Sequence, residues 1–469
     1  MKYVALHNLG CKVNSYEIDV VQQKLVEKGY KIVPFDEKAD IYIVNTCSVT
    51  NIADRKSRQM LHRAKKQNPE AIVVAMGCYV QAGEEKALED ACIDLAVGNN
   101  RKKDVVEILE KFLRRKHEAV ANLPTTTDIP VKTQGDCHED ETVKANLYKD
   151  KTLDHTTIID INHTSEYEEM QLTQTADHTR AYIKIQDGCN QFCTYCIIPY
   201  ARGRVRSRRM EDILKEVESL RDSGYKEIVL TGIHISSYGI DVDKQPHLLE
   251  LIQAIHTIEG IERIRLGSLE PRIVTEEFAK TLSNLYKICP HFHLSLQSGC
   301  DKTLKAMNRR YDTKEFMEKV CILRKYFDNP AITTDVIVGF PQETQEDFEI
   351  TKEFLTKVHF FEMHIFPYSK RAGTKAAAME GQLTEAVKKE RSQILLQLEK
   401  QQSEAYRRSF VGKEVEVLFE EEKEIKGEKC FVGHTKEYIK VVMKSRKELS
   451  NVIVKGKVME LLDGMLVMK

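Results

Sequence analysis

Three cysteines, Cys189, Cys193 and Cys196, stand in the stretch DGCNQFCTYCIIPYARGRVRSRR at Cys-x3-Cys-x2-Cys spacing. Thiolates at these offsets can bind three irons of a cubane iron–sulfur cluster and leave the fourth iron without a protein ligand. An open iron is a place to do chemistry, beyond carrying an electron. A structural zinc ion would need a fourth ligand at short range, and no His or Cys follows Cys196 within the next turn or two. Three further cysteines, Cys11, Cys47 and Cys78, occur in NLGCK, VNTCSV and AMGCY, each at the end of a predicted strand. If those strands are parallel neighbours, their ends converge outside one edge of the sheet, where sequence separation is no obstacle to a shared metal. A lone strand-end cysteine is usually a small buried hydrophobe. Three in the same slot point to a second cluster, again with one open iron.

The elements that must position these thiols can be read from hydrophobic periodicity. Residues 1–117 alternate strand and helix: YVALHNL then SYEIDVVQQKLVEKG, IYIVNTC then ADRKSRQMLHRAKKQN, AIVVAMGC then AGEEKALEDA, closed by LAVGNN and KKDVVEILEKFLRR. Residues 118–178 are polar and carry no recognisable motif, which predicts a linker or insertion with one short strand at TTIIDI. Residues 179–405 repeat strand then helix through AYIKIQ, EIVLTGIH, RIRLGSL, FHLSLQ, ITTDVIVGF and FEMHIFPYS, the pattern of an open, partial (β/α)6 barrel. A long amphipathic stretch from LTEAVKK onward leads out of it, and residues 406–469 read as five short strands of a small closed β-barrel. The fold class is therefore α/β: an N-terminal parallel α/β domain, a central partial barrel and a C-terminal β-barrel. The Cys189 triplet follows the first barrel strand, on the face where ligands gather in parallel α/β folds.

Composition narrows the setting. The chain has 469 residues, a net charge of −1, 42% hydrophobic and 30% charged residues, and 12 cysteines. That is an ordinary multidomain globular composition. No apolar run approaches the ~20 residues that span a bilayer, and the start MKYVALHNLGC is not an export signal. The cysteines are thus expected to be reduced thiols and metal ligands in a cytoplasmic protein, with no membrane partner. Near neutrality says nothing about nucleic acid; only local patches can.

LGCKVNSYE, the NTC and GCY elements and the Cys189 stretch resemble the radical S-adenosylmethionine methylthiotransferases over nearly the whole chain. The resemblance implies two 4Fe–4S clusters, S-adenosylmethionine chelated at the open iron of the Cys189/Cys193/Cys196 cluster, and a second cluster on Cys11, Cys47 and Cys78 that delivers sulfur. It implies a terminal barrel of the RNA-binding TRAM type, and an electron donor such as a flavodoxin or ferredoxin. A radical made from one cofactor molecule would take hydrogen from carbon-2 of an adenine, with no catalytic side chain beyond the clusters. Lys12, Val13, Asn14, Ser15, Tyr16 and Glu17 favour the branch acting on threonylcarbamoyladenosine in the tRNA anticodon loop. The alternatives are sister enzymes acting on isopentenyladenosine or a ribosomal protein and, in another class, a non-catalytic iron–sulfur RNA-binding protein.

The remaining candidates lie around that frame. Gly232, Ser268, Glu270, Gln297 and Asp335 fall at predicted strand ends and are expected to contact the cofactor, with the resemblance favouring Gly232, Glu270 and Gln297. Tyr195, also expected to contact the cofactor, and Phe192 sit between the ligands and are expected to shield the cluster. Arg202, Arg204, Arg206 and Arg208 would share one face of an extended segment, a patch suited to RNA phosphates; the alternatives are a solvated edge or arginines that pair with barrel carboxylates. Arg55, Lys56, Arg58, Arg63, Lys65 and Lys66 form a basic helix that reads equally as a charged outer face. Cys92, Cys137, Cys289, Cys300, Cys321 and Cys430 fit no ligand pattern, and Gly339-Phe340-Pro341 before Glu343-Thr344 reads as a turn into a capped helix.

Overall fold

The structure, a computed structural model, describes residues 2–121, 156–173, 179–425 and 427–469. Most of the expected linker, with Cys137, lies outside the described residues. The chain forms two compact units: Met1–Thr164 with Glu168–Met170 and Tyr200–Arg202, and Ser165–Tyr167 with Gln171–Pro199 and Gly203–Lys469.

The first unit is built on one parallel sheet of β1 (Tyr3–Asn8), β2 (Lys31–Val33), β3 (Ile41–Thr46), β4 (Ile72–Gly77), β5 (Leu95–Val97) and β6 (Thr156–Thr157) in the order β2-β1-β3-β4-β5-β6. The runs IYIV and IVVAM are apolar at every position because β3 and β4 are buried throughout, as strands covered on both faces must be. Helix α1 (Lys12–Glu27) follows β1 and helix α2 (Asn51–Gln67) follows β3, the latter capped by the Thr50 side chain accepting from the Ala53 N–H. The short β6 is the strand expected within TTIIDI.

In the second unit, β7 (Arg180–Asp187), β9 (Glu227–Gly232), β10 (Arg263–Leu266), β11 (His291–His293), β12 (Ala331–Val338) and β13 (Glu362–Pro367) are the six expected barrel strands. They run β10-β9-β7, with the short antiparallel β8 (Arg206–Ser207) outside β7, and β11-β12-β13; parallel bridges Ile264–Ile288 and Leu269–Leu294 carry the sheet from one set to the other. Ile183, Ile185, Ile228, Leu230, Ile264 and Val336 point into one apolar core with the helices outside. Strand β11 is shorter than expected: Gln297 lies beyond it, joined to Val336 by an isolated bridge.

Helix Glu385–Arg408 then leads to β14 (Glu414–Ile425), β15 (Glu428–Thr435), β16 (Lys440–Lys444), β17 (Val452–Leu462) and β18 (Met465–Met468), which close into the expected five-stranded barrel. Val417, Phe419, Phe431, Val441, Val458 and Leu466 fill its core. This barrel docks where the parallel strands begin. Arg263, first in β10, donates to the His434 and Glu416 carbonyls at 3.0 and 2.9 Å, and Arg265 donates to the Lys436 carbonyl at 2.9 Å and to Glu227 at 2.6 Å. The Tyr438 ring lies against the guanidiniums of Arg180 and Arg265, 4.9 and 4.8 Å from its centroid. The opposite ends of the strands are left for the cysteine loop.

Candidate functional site

Cys11 is the N-cap of α1, Cys47 directly follows β3, and Cys78 directly follows β4 and opens a short helix (Cys78–Ala82). Because β1, β3 and β4 are neighbours in register, with Asn8 opposite Asn45 and Thr46 opposite Gly77, the three thiols share one sheet edge. Burial pushes the Cys47 thiol up to about 11, and the Cys78 and Cys11 sulfurs push the same way. Gly10 permits the approach: its φ is +107°, and a Cβ there would stand 2.9 Å from Cys47 Sγ. Polar side chains tie the strand ends together. Asn14 Nδ2 donates to the carbonyls of Leu9 and Thr46 at 2.6 and 3.1 Å, Asn45 Nδ2 to the Asn14 carbonyl at 2.9 Å, and Thr46 Oγ1 to the Met76 carbonyl at 2.6 Å.

Two donors point at Cys78. Arg202 Nε lies 3.3 Å and Asn99 Nδ2 3.5 Å from its sulfur. Arg202 is held by Glu17, 2.9 Å and 3.0 Å to its two carboxylate oxygens, and by Asn14 Oδ1 at 2.6 Å; Lys102 also binds Glu17. All four of these charged and polar groups are buried. Asn14 and Glu17 were missed as site residues. Their signal is that they lie three apart on the face of α1 that otherwise buries Val13, Val20 and Val21, where an unpaired polar residue would be costly.

In the second unit Cys189 comes one residue after β7, across Gly188. That glycine has a φ of +72°, and a Cβ on it would lie 1.8 Å from the Arg204 carbonyl oxygen, so no other residue fits. The loop is pinned by the Cys196 N–H on the Cys193 carbonyl at 3.0 Å, the Thr194 N–H on the Met307 carbonyl at 3.1 Å and Thr194 Oγ1 on the Ala306 carbonyl at 2.9 Å. Burial pushes the Cys189 thiol up to about 11 and the Cys196 thiol up to about 12, with the Cys193 sulfur adding to both. These are poor free nucleophiles. They ionise when a cation takes up their charge, which is the behaviour of metal ligands.

The three cysteines line a cavity with Tyr195, His234, Ser268, Glu270, Gln297 and Arg309. Burial pushes the Glu270 carboxyl up and the His234 imidazole down to about 4, where Arg309 adds to the effect. Gln297 holds a backbone φ of +72°, with its N–H on the Asp335 carbonyl and its carbonyl on the Ile337 N–H, both at 2.9 Å; left-handed backbone in a non-glycine is the kind of strain that functional sites retain. Arg309 donates to Cys193 Sγ at 3.3 Å. His234 lines the same cavity, and Arg309 was not among the residues expected at the ligand loop.

Of the expected cofactor residues, Tyr195, Ser268, Glu270 and Gln297 line this cavity, Gly232 comes directly before its lining residues Ile233 and His234, and Asp335 adjoins it through its backbone carbonyl, which accepts from the Gln297 N–H. Gly232 packs against the Gln186 carbonyl, 2.9 Å from where its Cβ would be, and Asp335 faces His293. The arginine face is also corrected. The segment is helical over Ile198–Arg202 and a strand only at Arg206–Ser207, so the four do not share one exposed edge. Arg202, Arg206 and Arg208 are buried, with Arg202 on Glu17, Arg206 near Asp187 at 3.9 Å and Arg208 on Glu216. Arg204 alone of the four is exposed, its guanidinium 4.5 Å above the Phe192 ring. On α2, Ser57, Leu61 and Ala64 face inward and Arg55, Lys56, Arg58, Arg63 and Lys66 outward, with Arg63 on Asp36 at 2.5 Å. Thr344 and Asp347 form the expected cap as a reciprocal box.

Both triplets fit a cluster better than a single ion. Among the described residues, the groups whose three donor atoms fall within 4.8 Å of one another are His62–Asp90–Cys92 and His293–Asp335–His364, and neither cysteine triplet is one of them. One zinc ion draws its sulfurs closer, at Zn–S of about 2.3 Å; a cluster, with several irons between the sulfurs, accepts the wider spacing.

Known proteins agree with this geometry. Residues 183–355 match the radical SAM superfamily, and residues 3–98 match the uncharacterized protein family UPF0004. The chain is 38% identical over 462 residues, 98% of its length and 94% of the relative's, to the threonylcarbamoyladenosine tRNA methylthiotransferase MtaB of Bacillus subtilis. It is 35% identical to the tRNA-2-methylthio-N(6)-dimethylallyladenosine synthase of Acetivibrio thermocellus, over 93% of this chain and 84% of that one. Among solved structures, the cobalamin-dependent S-adenosylmethionine radical enzyme OxsB, with aqua-cobalamin and S-adenosylmethionine bound, superposes with a TM-score of 0.51 at 13% identity, covering 86% of this chain and 56% of that one. That likeness is one of fold. No helix among the described residues is long and apolar enough to cross a membrane.

Proposed function

The chain belongs to the radical S-adenosylmethionine methylthiotransferase family, and from that membership we propose that it converts N6-threonylcarbamoyladenosine beside the tRNA anticodon into its 2-methylthio derivative. The observation that carries the reading is the pairing of two thiol triplets in one chain: Cys11, Cys47 and Cys78 at neighbouring strand ends of the first unit, and Cys189, Cys193 and Cys196 in the cavity of the second. The choice of substrate is supported by Lys12–Glu17 and by 38% identity to the threonylcarbamoyladenosine enzyme against 35% to the dimethylallyladenosine one. The family uses S-adenosylmethionine and two 4Fe–4S clusters, which supply the one-electron chemistry, the methyl group and the sulfur that no side chain here can.

The chain's own residues hold and orient these groups. Cys189, Cys193 and Cys196 bind the radical-generating cluster, and Arg309 donates a charge-assisted hydrogen bond to it through Cys193. Tyr195, Ser268, Glu270 and Gln297 line the space for the cofactor's amino, carboxylate and ribose groups. His234, held neutral by burial, adds a donor or acceptor there without adding charge. Cys11, Cys47 and Cys78 bind the auxiliary cluster, with Arg202 and Asn99 directed at Cys78. Arg204 and the terminal barrel contact RNA phosphates, and the target base is unstacked to reach the site. The enzyme works in the cytoplasm, reduced by a flavodoxin- or ferredoxin-class donor. Mass spectrometry of tRNA nucleosides from a strain lacking this gene tests the assignment: 2-methylthio-threonylcarbamoyladenosine is expected to vanish, leaving its unthiolated precursor. An unchanged level overturns it.

A further inference from the structure

The three parallel strands β11, β12 and β13 bring together His293, Asp335 and His364, none of which lines the cysteine cavity. One donor atom from each lies within 4.8 Å of the others. Asp335 and His364 are direct cross-strand partners, and His293 stands opposite Thr333 on β12, so all three side chains rise from the same face of the sheet. The His293 and His364 rings stack with centroids 5.8 Å apart and planes 22° from parallel.

The details are those of a ligand set more than of a closed polar network. Thr333 Oγ1 lies 3.0 Å from His293 Nδ1. In the tautomer that donates from Nδ1, the threonine fixes the ring and leaves the Nε2 lone pair free, the way metal-binding histidines are usually oriented. That Nε2 is buried and makes no hydrogen bond, although Asp335 Oδ2 is 3.3 Å away. An aligned bond would normally close such a pair. The side chains open toward solvent in sequence, His293 at 13% and Asp335 at 31% exposure and His364 exposed outright, so a bound ion would keep positions for water or another oxygen ligand.

We propose that His293, Asp335 and His364 form a mononuclear site for a borderline divalent transition metal of the zinc or iron(II) class, separate from both cysteine triplets. Two imidazoles and one carboxylate with open positions are the donor set such ions take. A neutral imidazole pair and a single carboxylate carry too little charge and too few oxygens for calcium or magnesium. The proposal stands apart from the methylthiotransferase reading, since it rests on side chains that reading does not use for either cluster.

The test is zinc binding to the untagged, cluster-loaded protein under anaerobic conditions, with zinc and iron counted per chain and the zinc environment read by X-ray absorption at its own edge. One zinc per chain is expected, with a shell of nitrogen and oxygen that includes two imidazoles and with the iron content unchanged. His364→Ala, at an exposed position that leaves the core intact, and Asp335→Asn should each weaken zinc binding at least tenfold while retaining iron. Absence of stoichiometric zinc, sulfur in its shell, or binding that both variants leave untouched would overturn the proposal.

Discussion

Arg202 Nε lies 3.3 Å from Cys78 Sγ, and the same guanidinium grips the buried Glu17 carboxylate at 2.9 and 3.0 Å. An arginine in a run that reads as an RNA-facing patch is thus a buried part of the auxiliary thiol site. It sets a positive charge against a sulfur that must become a thiolate, and it is itself neutralised by Glu17, which Lys102 shares. Asn99 completes the arrangement by donating to Cys78 and, at 2.7 Å, to the Ala201 carbonyl.

Replacing Arg202 by Met should therefore cost more than one hydrogen bond. Breaking a buried ion pair from one side typically costs about 3–5 kcal/mol. Arg202→Lys keeps the charge but lacks the planar fork needed to reach Cys78, Glu17 and Asn14 together. The expected order of stability by denaturant unfolding is wild type, then Arg202→Lys, then Arg202→Met, with iron per chain falling toward half in the last. Full iron and unchanged unfolding in Arg202→Met would sink the assignment.

Arg309 makes a parallel prediction for the other cluster. A cation donating to a ligand sulfur stabilises the more negative, reduced form. Arg309→Gln should lower the potential of the Cys189/Cys193/Cys196 cluster, by at most about 60–130 mV if the full worth of a charge-assisted hydrogen bond, about 1.5–3 kcal/mol, is lost. An anaerobic redox titration followed by electron paramagnetic resonance reads this directly, and an unmoved or raised potential contradicts it.

Asp347 gives a pH dependence. Burial pushes its carboxyl up, but the Lys302 ammonium at 2.8 Å and the Thr344 N–H at 2.9 Å outweigh this and hold it at about 2 against the usual 3.8. A carboxylate depressed in the folded state stabilises above its unfolded value and loses that contribution as pH falls through the folded one. The contribution at neutral pH is at most about 2 kcal/mol, reduced by solvent screening at the exposed Lys302. Asp347→Asn should lower the unfolding midpoint equally at pH 7 and pH 5. The gap should narrow by roughly half near pH 3; a gap that widens in acid would refute the account.

The thiol sites were legible because their evidence is local. A Cys-x3-Cys-x2-Cys loop after a strand, and cysteines closing three neighbouring strands, survive any detail of packing. The arginines were legible only as open alternatives, RNA contact, solvated edge or carboxylate pairing, because what decides whether a charge is solvated is its partner. Glu17 is 185 residues from Arg202, and Cys193 is 116 from Arg309. Asp335 was recognised as a strand-end polar residue, but its neighbours His293 and His364 come from flanking strands whose pairing no local pattern specifies. Gln297 was found as a residue and missed as a conformation: FHLSLQ reads as one strand, yet the backbone leaves the strand after His293 and turns left-handed at Gln297.

Two glycines allow the clusters to be separated without touching a ligand. Gly188→Ala would force a methyl group to within 1.8 Å of the Arg204 carbonyl oxygen, at a φ of +72° that alanine resists, so the Cys189 loop must move. Gly10→Ala would press on Cys47 Cβ and Sγ at 2.9 Å and on Asn14 Nδ2 at 3.2 Å, at a φ of +107°, so the auxiliary thiols must spread. Each change is confined to its own unit. Gly188→Ala should lose half the iron and all reductive cleavage of S-adenosylmethionine. Gly10→Ala should lose the other half, keep 5′-deoxyadenosine formation and fail to insert sulfur, as should Cys47→Ala. Iron counts, 5′-deoxyadenosine yield and methylthiolated product measured on the same preparations distinguish these patterns. If Gly10→Ala, still folded and with the Cys189 cluster loaded, lost cofactor cleavage as well, the division of labour between the two triplets would have to be abandoned.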